Sequence, residues 1–282
     1  MFEPARNERF ARRADPPAMP VVFVHGMWLH AAVWEPWRRL FEQRGYATIA
    51  PGWPGEADTA SLTRSNADDL NKIGLAAITD HYEAIIADLP ATPVVVGHCF
   101  GGLVAQRLLA RGFARAAIAI APAPFRGIWQ LSRDQLRTAG TVLSHPSWWQ
   151  RTWMPTPEQF HHQVATTVDR VDADRIYNDY AVPAALRPLL EVGFANLTVG
   201  GAAAVDTRAA RGPLLIVGGR HDRTAPEVVV RAAYRRQSRN SAVTELVVYD
   251  DRGHSMSIDS GWVEIADRVL EFLTANNLER VA

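Results

Sequence analysis

A chain of 282 residues, 48% of them hydrophobic, can bury one large core. Its 30 Lys and Arg balance 30 Asp and Glu, so no nucleic-acid or anionic-membrane footprint is expected. The one cysteine excludes an internal disulfide. No apolar run approaches membrane-spanning length, and Met1–Pro20 is polar and Arg-rich without an apolar h-region. A cytoplasmic protein is the expectation.

Residues 1–18 read as a charged arm. Val21–Val24 reads as a short buried strand running into His25-Gly26-Met27-Trp28. Val33–Arg44 has helical periodicity, with Trp34, Trp37, Leu40 and Phe41 on one face, and Gly45 ends it. Ala47–Ala50 is the next strand. Pro51-Gly52-Trp53-Pro54-Gly55 is turn chemistry, and a polar loop is expected to about Lys72. Ile73–Leu89 reads as an amphipathic helix leading to a strand at Pro93–Val96. Gly97-His98-Cys99-Phe100-Gly101-Gly102 follows, then a helix over Leu103–Ala110 and an apolar strand at Ala116–Ala121.

From about Pro122 to Val205 no clean strand appears and aromatic residues are frequent. Thr156-Pro157-Glu158 looks like an N-cap with proline at the first helical position. Ala173–Tyr180 and Ala184–Asn196 also read as helical. Strand signals return at Leu214–Val217 and Thr244–Tyr249, each followed by a helix, at Pro226–Gln237 and Trp262–Ala275. This alternation implies an α/β fold: a doubly wound, mostly parallel sheet. Residues 1–124 and 206–282 are expected to form the core, and 125–205 an inserted helical cap.

A strand that turns abruptly into a helix around a glycine-flanked nucleophile is a nucleophile elbow. Gly97 and Gly101 mark where strand and helix pass too close for Cβ atoms. Cys99 is the apex, beside the positive end of the following helix. With this elbow the chain resembles the α/β-hydrolase family, with cysteine where serine is usual. The G-x-C-x-G-G form is locally similar to dienelactone hydrolases.

That family orders its triad as nucleophile, acid, base. Asp222, in Gly218-Gly219-Arg220-His221-Asp222, follows a strand where the family carries its acid. His254, in Asp251-Arg252-Gly253-His254-Ser255, follows the last strand, where it carries its histidine. The resemblance therefore implies Cys99 as nucleophile, His254 as base and Asp222 as orienting acid. Phe100 N–H follows the nucleophile and is one oxyanion donor. The likeness of His25-Gly26-Met27 to the family's HG loop makes Met27 N–H the second.

The cysteine narrows the chemistry. A thiolate is a better leaving group than an alkoxide, and an amide's tetrahedral intermediate would expel it before the amine. Esters, thioesters and lactones are the better substrates. The expected reaction is acyl hydrolysis or acyl transfer through acyl-Cys99. The alternatives are a lyase or cyclase without a covalent intermediate, and a non-catalytic ligand-binding protein on the same fold. Trp28, Phe125, Trp129, Trp148 and Trp153 are the candidate walls of an apolar acyl pocket, with Arg126 as a polar anchor. A bulky aromatic or medium-chain acyl group would suit them.

His25 and His98 read as structural. His161 and His162 are adjacent and diverge on a helix, and no H-E-x-x-H or Cys/His cluster occurs. Neither a metal nor a cofactor is expected. The expected partner is a small-molecule acyl substrate, not a nucleic acid or a membrane; a homo-oligomer is compatible with the sequence.

Overall fold

A computed structural model of the chain describes residues 18–130, 150–198 and 200–279. Among them, six parallel strands form one sheet in the order β2-β1-β3-β4-β7-β8. They are β1 (Pro20–Val24), β2 (Ala47–Ile49), β3 (Val94–His98), β4 (Ala116–Ile120), β7 (Leu214–Gly219) and β8 (Thr244–Tyr249). The four central strands are buried along their whole length. Their near-continuous Val, Ala, Leu and Ile runs are what a sheet covered on both faces requires. Register is continuous across the centre: Phe23 lies opposite Val96, Val96 opposite Ile118, and Ile118 opposite Leu215.

Helix α1 (Glu35–Gln43) follows a single 3-10 turn at Ala31–Trp34. It seats Trp34, Trp37 and Phe41 on Phe23 of β1, with ring centroids 5.1, 6.2 and 5.4 Å away. Burying each such ring stabilises the fold by about 2 kcal/mol. Helix α2 (Ala60–Ser65) lies where a polar loop was expected. Thr59 Oγ1 caps it by accepting from Leu62 N–H at 3.2 Å. Helix α3 (Leu75–Ala87) packs on α4 (Phe100–Ala110), which starts directly after Cys99.

The described part of the segment between β4 and β7 is built from short pieces. Strands β5 (Thr152–Trp153) and β6 (Ala184–Ala185) pair antiparallel. Helix α5 (Pro157–Gln163) carries a full capping box between Thr156 and Gln159. Helix α6 (Arg170–Tyr180) is capped by Asp169, and α7 spans Arg187–Gly193. One helix was expected over 184–196. Instead Ala184 and Ala185 join β5, and the helix begins at Arg187 with Pro188 in its first turn. A two-residue strand pair is too short to leave an alternation in the sequence.

This segment rests on the loops beyond the strand ends. Val182 N–H donates to Trp28 O (3.0 Å), and His30 N–H to Tyr180 O (2.9 Å). Thr224 Oγ1 donates to Gln163 O (2.7 Å). Both of its ends are tied to α4 and its cap: Ala123 N–H donates to Cys99 O (2.9 Å), and Arg107 Nη1 to Ala204 O (3.1 Å). Arg107 is buried, also donates to Thr79 Oγ1 (2.9 Å), and burial pulls its pKa down to about 10. Helix α8 (Glu227–Gln237) and helix α9 (Trp262–Ala275) complete the core. Among the described residues no helix is long and apolar enough to cross a membrane.

Candidate active site

Cys99 sits at the apex between β3 and α4 with φ 55° and ψ −117°. A left-handed, non-glycine backbone of this kind costs about 1–3 kcal/mol. Four hydrogen bonds hold it: Cys99 N–H to Ile120 O (2.9 Å), and Gly102, Leu103 and Ala123 N–H to Cys99 O (3.0, 3.2 and 2.9 Å). A Cβ on Gly97 would run into Gly101 O, and one on Gly101 into Val24 O. The glycine flanks are therefore a packing requirement of the turn.

Gly26 brings the loop after β1 against the apex; a Cβ there would fall 2.8 Å from Cys99 Cβ. Met27 and Phe100, whose N–H groups are the expected oxyanion donors, are both buried beside it. Among the described residues, neither N–H is spent on a backbone carbonyl.

The loops after β7 and β8 bring Asp222 and His254 together. His254 Nδ1 lies 2.8 Å from Asp222 Oδ2, with both side chains buried. Asp222 Oδ1 accepts from Thr224 and Ala225 N–H (2.8 and 2.7 Å), so the carboxylate also shapes its own loop. Burial pulls the pKa of His254 down, but the charges of Asp222 and Cys99 and hydrogen bonds to both carry it up to about 10. The structure thus brings Cys99, His254 and Asp222 into one hydrogen-bonded series.

His98 backs this series. Its Nε2 lies 2.8 Å from His254 O, and the two rings are 4.7 Å apart. Burial, then the neighbouring His254 charge, hold its pKa well below the ordinary value. The neutral ring donates Nε2–H to the carbonyl and fixes the loop that carries His254.

The expected pocket walls separate. Trp28 and Trp153 meet edge to face at 5.3 Å, joining the loop after β1 to β5. Phe125 is buried in the main core just after β4. Arg126 and Trp129 differ from expectation: both are exposed, Trp129 to 67%. Ile128, between Gly127, at φ 96°, and Trp129, turns back into the core. Trp148 lies outside the described residues. Phe160 and Tyr177, 5.5 Å apart, fill the interior of the inserted segment itself. His161 and His162 hold no cluster: among the described residues no group of three or more His, Cys, Asp or Glu could hold a metal.

Two neighbours of the site escaped the sequence reading, Trp53 and Glu56. Trp53 stacks on His25 at 5.1 Å, and Glu56 Oε1 lies 3.2 Å from His25 Nε2. Their only signal is two large or charged residues within an otherwise turn-like stretch, Gly52-Trp53-Pro54-Gly55-Glu56.

A model of the alpha/beta hydrolase family matches residues 21–268. The chain belongs to that family. Solved structures agree in fold. A methylesterase from Arabidopsis is 17% identical, with TM-score 0.62, covering 91% of this chain and 99% of its own. A monoacylglycerol lipase from Paleococcus ferrophilus is 17% identical, with TM-score 0.66, over 91% and 94%. An esterase from Exiguobacterium antarcticum is 14% identical, with TM-score 0.65, over 92% and 93%. No curated protein matches the sequence. In this alpha/beta hydrolase, a thiol, an imidazole and a carboxylate lie together at the ends of three strands.

Proposed function

We propose that the protein cleaves or transfers the acyl group of an ester, thioester or lactone through an acyl-Cys99 intermediate. The observation that carries this reading is the buried series Cys99–His254–Asp222 at the apex of a strained elbow. The esterases and the lipase that share the fold agree with ester chemistry.

Cys99 Sγ attacks the carbonyl carbon, and its proton resides on His254. The carbonyl oxygen becomes an oxyanion facing Met27 and Phe100 N–H; each such donor contributes about 3 kcal/mol to the transition state. His254 then returns the proton to the leaving alcohol or thiol. Asp222 holds the imidazole with Nδ1–H toward itself, so Nε2 serves the reaction. The acyl-thioester passes to water, or to an acceptor alcohol or amine, with His254 again taking the proton. Trp28 and Trp153 contribute an apolar wall beside the oxyanion loop.

Intact-mass spectrometry after mixing with nitrophenyl hexanoate or hexanoyl thioesters tests the reading. The expected result is a hexanoyl mass increase on the wild type, carried by the peptide containing Cys99 and absent from Cys99→Ala. Turnover that survives in Cys99→Ala would overturn it.

A further inference from the structure

Next to Gly26, which packs against Cys99, lies a second buried carboxylate and histidine. Glu56 is 3% exposed at its side chain, and His25 is 1% exposed. His25 is held by Trp53 stacked on its face and by Nδ1 at 2.9 Å from Gly26 O. Glu56 Oε1 meets His25 Nε2 at 3.2 Å, too obliquely for a hydrogen bond. Glu56 Oε2 has no partner, and rests over Gly52, 2.7 Å from where a side chain there would begin. The indole N–H groups of Trp28 and Trp53 are also buried without a partner.

Buried polar atoms are nearly always hydrogen-bonded, and an unpaired carboxylate oxygen is among the costliest exceptions. Four such atoms among the described residues belong to neighbours here: His25 Nε2, Trp28 Nε1, Trp53 Nε1 and Glu56 Oε2. His25, Trp28, Trp53 and Glu56 line one small cavity, closed by Leu70 and Pro183, with room for about one water-sized group. The residues around it carry an unpartnered carboxylate oxygen and His25 Nε2 as acceptors and two indole N–H donors. A hydroxyl is the complement, since it donates one proton and accepts at two lone pairs. An anionic oxygen would be repelled by Glu56, and an ammonium would waste both indole donors.

We propose that this cavity is a subsite for a hydroxyl group on the substrate, beside Gly26, which both lines it and packs against Cys99. Glu56 Oε2 accepts its proton, and Trp28 and Trp53 donate to its oxygen. The inference rests on the acyl-transfer reading of Cys99 and narrows it to hydroxyl-bearing esters. The hydroxyl belongs either to the acyl chain or to the alcohol, and two substrate pairs separate these sources.

The first pair is the nitrophenyl esters of α-hydroxyhexanoic and hexanoic acid. The second is the hexanoate monoester of ethylene glycol and propyl hexanoate. Each kcat/KM is normalised to the ester's own alkaline hydrolysis rate. The expected result is a preference of about tenfold or more for the hydroxylated member of one pair, because a site built to bond a hydroxyl rejects the analogue lacking it. Glu56→Gln and Trp53→Phe should each reduce that ratio several-fold, and either variant suffices if the other fails to fold. Calorimetric binding of matched hydroxylated and deoxy hexanamides to Cys99→Ala reads the same preference without any covalent step. Ratios near one in both pairs, or a ratio unchanged in both variants, would overturn the subsite. A hydroxyl preference without an acyl adduct on Cys99 would overturn the covalent reading and leave the subsite standing.

Discussion

Two buried carboxylate–histidine pairs flank Cys99, and they are built differently. Asp222 is fully bonded: one oxygen takes two backbone N–H groups and the other takes His254. Glu56 meets His25 with one oxygen at 3.2 Å and leaves the other without a partner. A carboxylate with both oxygens bonded is committed to orienting its neighbours. One with a free oxygen has binding capacity left. Under the two proposals they do different work: proton transfer by the pair that includes His254, substrate recognition by the pair that includes Glu56.

The sharpest way to break this comparison is to disable the fully bonded side. His254→Ala should lower kcat by about a thousandfold or more, with Asp222→Asn next, because the histidine moves protons and the aspartate only orients it. Stopped-flow or steady-state assays on a nitrophenyl ester read both. Full activity in Asp222→Asn would show that the pair is structural.

Gly26 packs against Cys99 and lines the cavity beside Glu56, and Gly26→Ala comes next in size. Its new Cβ would stand 2.8 Å from Cys99 Cβ, and the loop carrying Met27 must retreat. The expected loss is about a hundredfold in kcat, the order seen when one oxyanion donor is lost. Retained kcat would place the second donor elsewhere.

A smaller effect appears in stability against pH. The pKa of His254 is raised from the ordinary 6.5 to about 10. Its contribution is therefore complete below pH 6.5 and is lost as pH rises through about 10. The gap in Tm between wild type and His254→Gln should shrink over that window. A constant gap would mean that the imidazole gains no charge stabilisation from Asp222 and Cys99. The smallest effect is a control far from both pairs: Thr156→Ala removes the capping box of α5 and should cost about 1 kcal/mol in denaturant melts, with kcat unchanged.

The difference between the pairs also explains what the sequence could show. Cys99, Asp222 and His254 each follow a strand, and the strands are readable as apolar runs bounded by glycine. The fully buried β3, β4 and β7 left the plainest patterns, and α9 has the bounds its periodicity indicates, Trp262–Ala275. Glu56 sits instead in a turn-rich stretch before the short helix α2. Its meeting with His25 depends on how the loops after β1 and β2 fold over adjacent parallel strands. No periodicity encodes that meeting. The exposure of Arg126 and Trp129 was equally unreadable, since they alternate with buried Phe125 and Ile128 in a stretch with no strand or helix period.

The tie between Arg107, Ala204 and Cys99 has a consequence for protein engineering. The segment between β4 and β7 enters at Ala123, bonded to Cys99 O, and leaves at Ala204, bonded to Arg107 one helix-length away. Both splice points belong to the same rigid rod, α4 and its cap. A graft joined at 123 and 204 would inherit a fixed span set by that rod, whatever its own sequence. The nucleophile would stay on its original mount.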